Sequence, residues 1–158
     1  MEKIQVLGNE ISYYNYNAED YISLTDMVKN IENGLVLIEK WLRNKNTIEF
    51  LGIWEEINNP DFNSPEFEGI KNMAGLNRFT LSVKQWVEKT NSTGIIAKAG
   101  RYGGTYAHKD IAFEFASWIS PKFKLYKYDF VFVDEGDFHK YNPQTFQELI
   151  VNFTKYKE

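Results

Sequence analysis

Cysteine is missing from all 158 positions of the chain, so disulfides, thiolate nucleophiles and zinc sites built on Cys are excluded. Histidine is almost as scarce. Only His108 and His139 occur, and His108 with Asp110 is a close pairing of imidazole and carboxylate. No serine stands in a Gly-x-Ser-x-Gly elbow. No apolar run approaches the roughly 20 residues that a bilayer-spanning helix requires, and Met1-Glu2-Lys3 leads into a short alternating stretch, unlike the apolar centre of a signal peptide. These absences predict a cytosolic chain. Internal repeats, low-complexity tracts and obvious linkers are lacking too, so one compact domain with a short extension is expected.

What the chain does have is bulk. Twelve Phe, ten Tyr and four Trp, within 43% hydrophobic residues, supply side chains large enough to offset the entropy of ordering. The net charge of −4 looks wrong for a nucleic-acid binder until it is divided along the chain. Residues 1–70 carry 5 basic and 13 acidic side chains, residues 71–109 carry 7 and 1, and residues 110–158 carry 6 and 8. The middle stretch is a basic island of Lys71, Arg78, Lys84, Lys89, Lys98, Arg101 and Lys109, opposed only by Glu88. A lysine-rich solvated face is the plain alternative.

Lys3 to Leu7 and Ile11 to Tyr16 alternate around Gly8-Asn9, which predicts an opening β-hairpin, and Tyr21-Ile22 adds a strand before a short helix from Thr25. Leu35, Ile38 and Leu42 have helical spacing. Asn46 with Glu49 reads as the start of a helix that continues through Phe50, Trp54 and Ile57 to Asn58-Asn59-Pro60. Ser64-Pro65 predicts a third helix with Gly75 at its C-terminal end, and Ser82 with Gln85 forms a capping box for a further short helix. Ile95–Ala99 and Thr105–His108 read as strands joined by Gly100-Arg101-Tyr102-Gly103-Gly104, followed by an apolar helix through Ile111, Phe115 and Trp118. Trp86, Trp118, Phe113 and Phe115 are expected mostly in the core. Beyond Tyr128, a strand at Phe130–Val133, an acidic turn and an amphipathic final helix are expected.

Several motifs carry chemistry. His108 suits a structural or phosphate-binding role better than that of a general base. Asp134, Glu135 and Asp137 have oxygens for a hard cation, though not the pattern of a calcium loop. Asp61, Glu68 and Lys71 echo a nuclease signature, with Glu-x-x-Lys where Glu-x-Lys is needed. The glycine loop lies between two strands, so it matches neither nucleotide-binding fingerprint. A hairpin tip with Arg101, Tyr102 and bare backbone amides, flanked by Lys98, Tyr106, His108 and Lys109, is suited instead to a groove or a phosphate backbone. Trp41-Leu42-Arg43-Asn44-Lys45-Asn46-Thr47, between two helices, is a second polar surface whose Arg and Asn suit phosphates and base edges.

Tyr21-Ile-Ser-Leu-Thr-Asp-Met27, Trp41-Leu-Arg-Asn-Lys-Asn-Thr47, Ile48-Glu-Phe-Leu-Gly52 and Gly100-Arg-Tyr-Gly-Gly-Thr-Tyr-Ala-His-Lys-Asp-Ile-Ala-Phe-Glu-Phe-Ala-Ser-Trp-Ile-Ser-Pro121 closely resemble the KilA-N domain of phages, prophages, bacteria and large DNA viruses. That family is regarded as a DNA-binding module similar in fold to the DNA-binding domain of fungal APSES transcription factors. The resemblance implies an α+β fold, helices packed on a small antiparallel sheet with a projecting β-hairpin wing over Ile95–His108. It covers about Ile11 to Tyr126, so residues 1–128 are expected to form the domain and residues 129–158 an acidic extension that departs from the family pattern.

The expected function is non-catalytic binding of double-stranded DNA in a bacterial or infected host cytoplasm, with no cofactor, metal, membrane or small-molecule substrate. The expected contacts are Arg43, Asn44, Lys45, Lys84, Lys98, Arg101, Tyr102, Gly103, Gly104, Tyr106, His108 and Lys109. A protein-interaction module, such as a phage antirepressor with a regulatory protein as partner, is the competing reading, supported by the acidic first 70 residues. A metal-dependent nuclease is the third.

Overall fold

A computed structural model describes residues 2–6, 9–101 and 103–121. In chain order the elements are β1 (Glu2–Val6), β2 (Asn9–Tyr16), β3 (Glu19–Ser23), α1 (Leu24–Val28), α2 (Gly34–Leu42), α3 (Lys45–Asn58), α4 (Ser64–Met73), α5 (Val83–Thr90), β4 (Ile95–Lys98), β5 (Gly104–His108) and α6 (Lys109–Ile119). The strands form one antiparallel sheet in the order β1-β2-β3-β5-β4. The fold is α+β, and the β4–β5 hairpin joins the N-terminal strands by laying β5 beside β3.

Alternation along each strand sorts side chains between the two faces. The register sets Ile4 opposite Ile11, Tyr13 opposite Ile22, and Ala107 opposite both Ile22 and Ile95. All of these are buried in one core with Leu42, Ile48, Trp86, Ile111 and Phe115 from the helices. The other face carries tyrosines. Tyr14 stacks on Tyr21 with ring centroids 5.9 Å apart and meets Tyr106 edge-on at 5.2 Å. Burial pushes the Tyr21 hydroxyl up to about 12, so it stays protonated and donates to the Thr93 carbonyl at 2.8 Å.

Local signals fix most boundaries. The Ser82–Gln85 capping box is formed in both directions at 3.1 and 3.0 Å, and Gly75 follows α4 with φ +88°, a conformation that favours glycine. Two helix starts shift. Asn44, not Asn46, is the N-cap of α3, and Asn63 rather than Ser64 caps α4 by accepting from the Glu66 amide, which puts Pro65 in the first turn. Two apolar side chains are more exposed than their spacing suggests. Leu35 is 64% exposed although Ile38 and Leu42, on the same side of α2, are buried; it stands in the first turn of the helix. Trp118, expected in the core, is 42% exposed and stacks on buried Phe115 at 6.3 Å, at the end of α6 where the core stops. The expected strand, acidic turn and final helix, with the boundary at residue 128, lie outside the described residues.

Candidate nucleic-acid interface

The α2–α3 turn brings Arg43, Asn44 and Lys45 together on the surface. Buried Leu42 on one side and buried Thr47 and Ile48 on the other hold it against the core. The Asn44 side-chain amide donates backwards to the Lys40 and Trp41 carbonyls at 3.2 and 3.3 Å, closing the end of α2. Asn44 therefore gives α3 no side-chain cap, and the first amides of a 14-residue helix meet no side-chain acceptor there. The positive end of that helix coincides with Lys45 and Arg43. Neither cation makes an ion pair among the described residues.

The β4–β5 hairpin is held differently. The Thr105 amide donates to Thr25 Oγ1 of α1 at 2.9 Å, and His108 N–H donates to the Gly94 carbonyl at 2.8 Å. Gly104 has φ +143° and sits so close to Thr25 that a Cβ would lie 2.9 Å from its Oγ1, while a Cβ at Gly103 would meet the Lys98 and Gly100 carbonyl oxygens at 2.8 Å. Both glycines are thus used in closing the hairpin. Lys98 Nζ lies 3.5 Å from the centroid of the Tyr14 ring and 5.3 Å from that of Tyr106. Such cation–π contacts hold an exposed ammonium by about 0.5–1 kcal/mol. Arg101 is exposed at the tip, and Tyr102 lies outside the described residues.

Four more of the expected contacts are buried or paired within the chain. Tyr106 is 3% exposed and His108 5% exposed. The Asp110 amide donates to His108 Nδ1 at 3.2 Å, capping α6, so the ring hydrogen sits on Nε2 and is donated to Glu19 at 3.1 Å. That hydrogen bond, with Lys109 close by, holds the Glu19 carboxyl below its ordinary value. Lys109 Nζ reaches the same carboxylate at 3.5 Å. Lys84 is exposed on α5 and pairs with Glu88 one turn on at 3.7 Å.

Sequence reasoning passed over Glu55. This carboxylate is 1% exposed and accepts from the Thr93 amide at 3.0 Å, the Gly94 amide at 2.7 Å and Asn59 Nδ2 at 2.9 Å. It ties α3, whose other end bears Lys45, to the residues that lead into β4. The only sequence signal is an acidic residue on the apolar side of the helix, four positions after Leu51 and seven after Ile48, both buried.

The KilA-N domain family matches residues 5–132, which takes in both basic surfaces. Over 77 residues the chain is 40% identical to Protein kilA of Escherichia phage P1, covering 45% of this chain and 29% of that protein. The chain therefore spans less than a third of the length of this relative. No solved structure matches it. Among the described residues no helix is long and apolar enough to cross a membrane. With the match extending over most of its length, the chain belongs to the KilA-N domain family, a phage-type family of DNA-binding domains.

Proposed function

We propose that the chain is a non-catalytic module that grips duplex DNA mainly through the α2–α3 turn, with the β4–β5 hairpin as an auxiliary wing. The carrying observation is the coincidence, at one turn, of Arg43, Lys45 and the α3 N-terminus without a side-chain cap, with no carboxylate paired to either cation among the described residues. Phosphate oxygens satisfy both the helix amides and the cations. In the wing, Lys98 keeps an exposed charge over Tyr14 and Arg101 stands at the tip, while Tyr106 and His108 act from below by shaping the hairpin.

The test is fluorescence anisotropy with a labelled duplex over a range of salt. With about four to six phosphate contacts, log K falls by roughly 0.9 per neutralised phosphate against log salt. Arg43→Ala with Lys45→Ala should weaken binding about tenfold and reduce the slope by about two, with little change in the urea midpoint because both sites are exposed. Binding indifferent to salt and to the double variant overturns the reading. A protein partner is the second reading, favoured by the exposure of Leu35 and Val36 at the start of α2. Failure to bind DNA under any salt condition would move the preference there.

A further inference from the structure

The tight turn after α4 has no role in the interface so far. Its residues Gly75, Leu76, Asn77 and Arg78 are all exposed, and it is clamped between buried Ala74 and buried Phe79. The Leu76 amide donates to the Met73 carbonyl at 3.2 Å and the Phe79 amide to the Leu76 carbonyl at 2.9 Å, so the backbone is fixed while the side chains project. The turn lies against the α2–α3 junction, since a Cβ at Gly75 would stand 3.8 Å from Lys45 Cβ. Arg78, like Arg43 and Lys45, makes no ion pair among the described residues, whereas Lys71 on the preceding helix is paired with Glu68 at 3.6 Å. Beside this charge, Met73 is 56% and Leu76 61% exposed. The turn thus holds a charge and two large apolar side chains next to each other on a fixed backbone.

We propose that the Gly75–Arg78 turn is a third DNA-contacting element, in which Arg78 pairs with a backbone phosphate and Leu76 lies against the sugars and base edges next to it. The inference rests on the reading of the α2–α3 turn as a DNA contact and extends that surface along the duplex. One observation selects DNA as the occupant: Arg43, Lys45 and Arg78, which make no ion pair among the described residues, come from adjoining segments, so that a single polyanion neutralises all three. The grooves of DNA also accept aliphatic side chains beside phosphate contacts, against thymine methyl groups or between base steps.

The test uses the full chain and a fluorescein-labelled duplex at several salt concentrations. Arg78→Ala should weaken binding severalfold and lower the salt slope by about one, and Arg78→Lys should restore the slope. Leu76→Ser should weaken binding by roughly two- to fivefold at unchanged slope, because it removes apolar contact and no charge. A role confined to stability would shift the urea midpoint and leave the slope alone. Parent affinity and slope in Arg78→Ala, while Arg43→Ala and Lys45→Ala weaken binding, overturns the inference and leaves the α2–α3 turn as the contact. Parent behaviour in all three variants overturns both. A dimer in light scattering that Leu76→Asp converts to monomer, with DNA binding unchanged, assigns the turn to a second copy of the chain and also overturns it.

Discussion

In the β4–β5 hairpin Lys98 lies on the Tyr14 ring and neighbouring Lys109 reaches Glu19, whereas at the α2–α3 turn Arg43 and Lys45 have no ion-pair partner among the described residues. The hairpin belongs to the stretch that is richest in positive charge, and the turn belongs to the acidic first part of the chain. Charge density along a sequence is therefore a poor guide to the charge a surface offers. A paired cation must give up its partner before it can neutralise a phosphate, and that exchange cancels much of the gain.

The mechanical link between the two regions gives the largest expected effect. Glu55→Ala would leave the part-buried Thr93 amide and the buried Gly94 amide without this acceptor, while Asn59 Nδ2 keeps the Asn91 carbonyl, a loss of about 3 kcal/mol in urea unfolding. Glu55→Gln keeps one acceptor oxygen and should cost less. A loss under about 1 kcal/mol for Glu55→Ala would mean that α3 and the wing are not tied through this carboxylate.

Wing and turn are then compared by single charges. Arg101→Ala should weaken DNA binding severalfold and reduce the salt slope by about one, with stability unchanged within about 0.5 kcal/mol. Unaltered anisotropy titrations for this variant would leave the α2–α3 turn, with the turn after α4, as the DNA-binding surface. Glu19→Gln acts in the opposite direction. It removes a negative charge and releases Lys109, so binding should tighten by about twofold and the slope should steepen, since one more cation becomes available. No gain in affinity from Glu19→Gln would show that the Lys109 pairing is not what limits the wing.

The smallest effect is a pH dependence. The Glu19 carboxyl titrates below its ordinary value in the folded chain because His108 donates to it, so its contribution to stability is present above the unfolded carboxylate value. The contribution is lost as pH falls through the depressed folded value. Half the Glu19 side chain is exposed, so solvent screens the interaction and the stability change should be slight. NMR titration of the Glu19 carboxyl carbon in the parent and in His108→Ala, which removes the donor, checks it, with the midpoint expected to rise in the variant.

How much was legible from the sequence depended on how local the cause was. The Ser82–Gln85 capping box, the glycine after α4 and the opening hairpin are set by residues within a few positions of one another; the first two formed as read, and the hairpin formed with Asn9 paired to Val6 inside its second strand. The start of α3 was misplaced by two residues because Asn44 closes α2 and begins α3 at once, a double duty that shows only when both helices exist. Arg43, Asn44 and Lys45 were legible as a surface cluster because the chain itself makes them neighbours. The burial of Tyr106 and His108 was not, since it depends on β5 lying beside β3.

The sequence by itself determined the order of strands and helices and the caps at several helix ends, because those follow from spacing and short-range chemistry, while membership of the KilA-N family follows from the family match over residues 5–132. Tertiary structure alone decided which cations remain without a partner, where Glu55 is buried and that Gly75 packs beside Lys45. These follow from contacts between segments far apart in the chain, and no local pattern encodes which lysine will find a carboxylate or a tyrosine ring when the sheet closes.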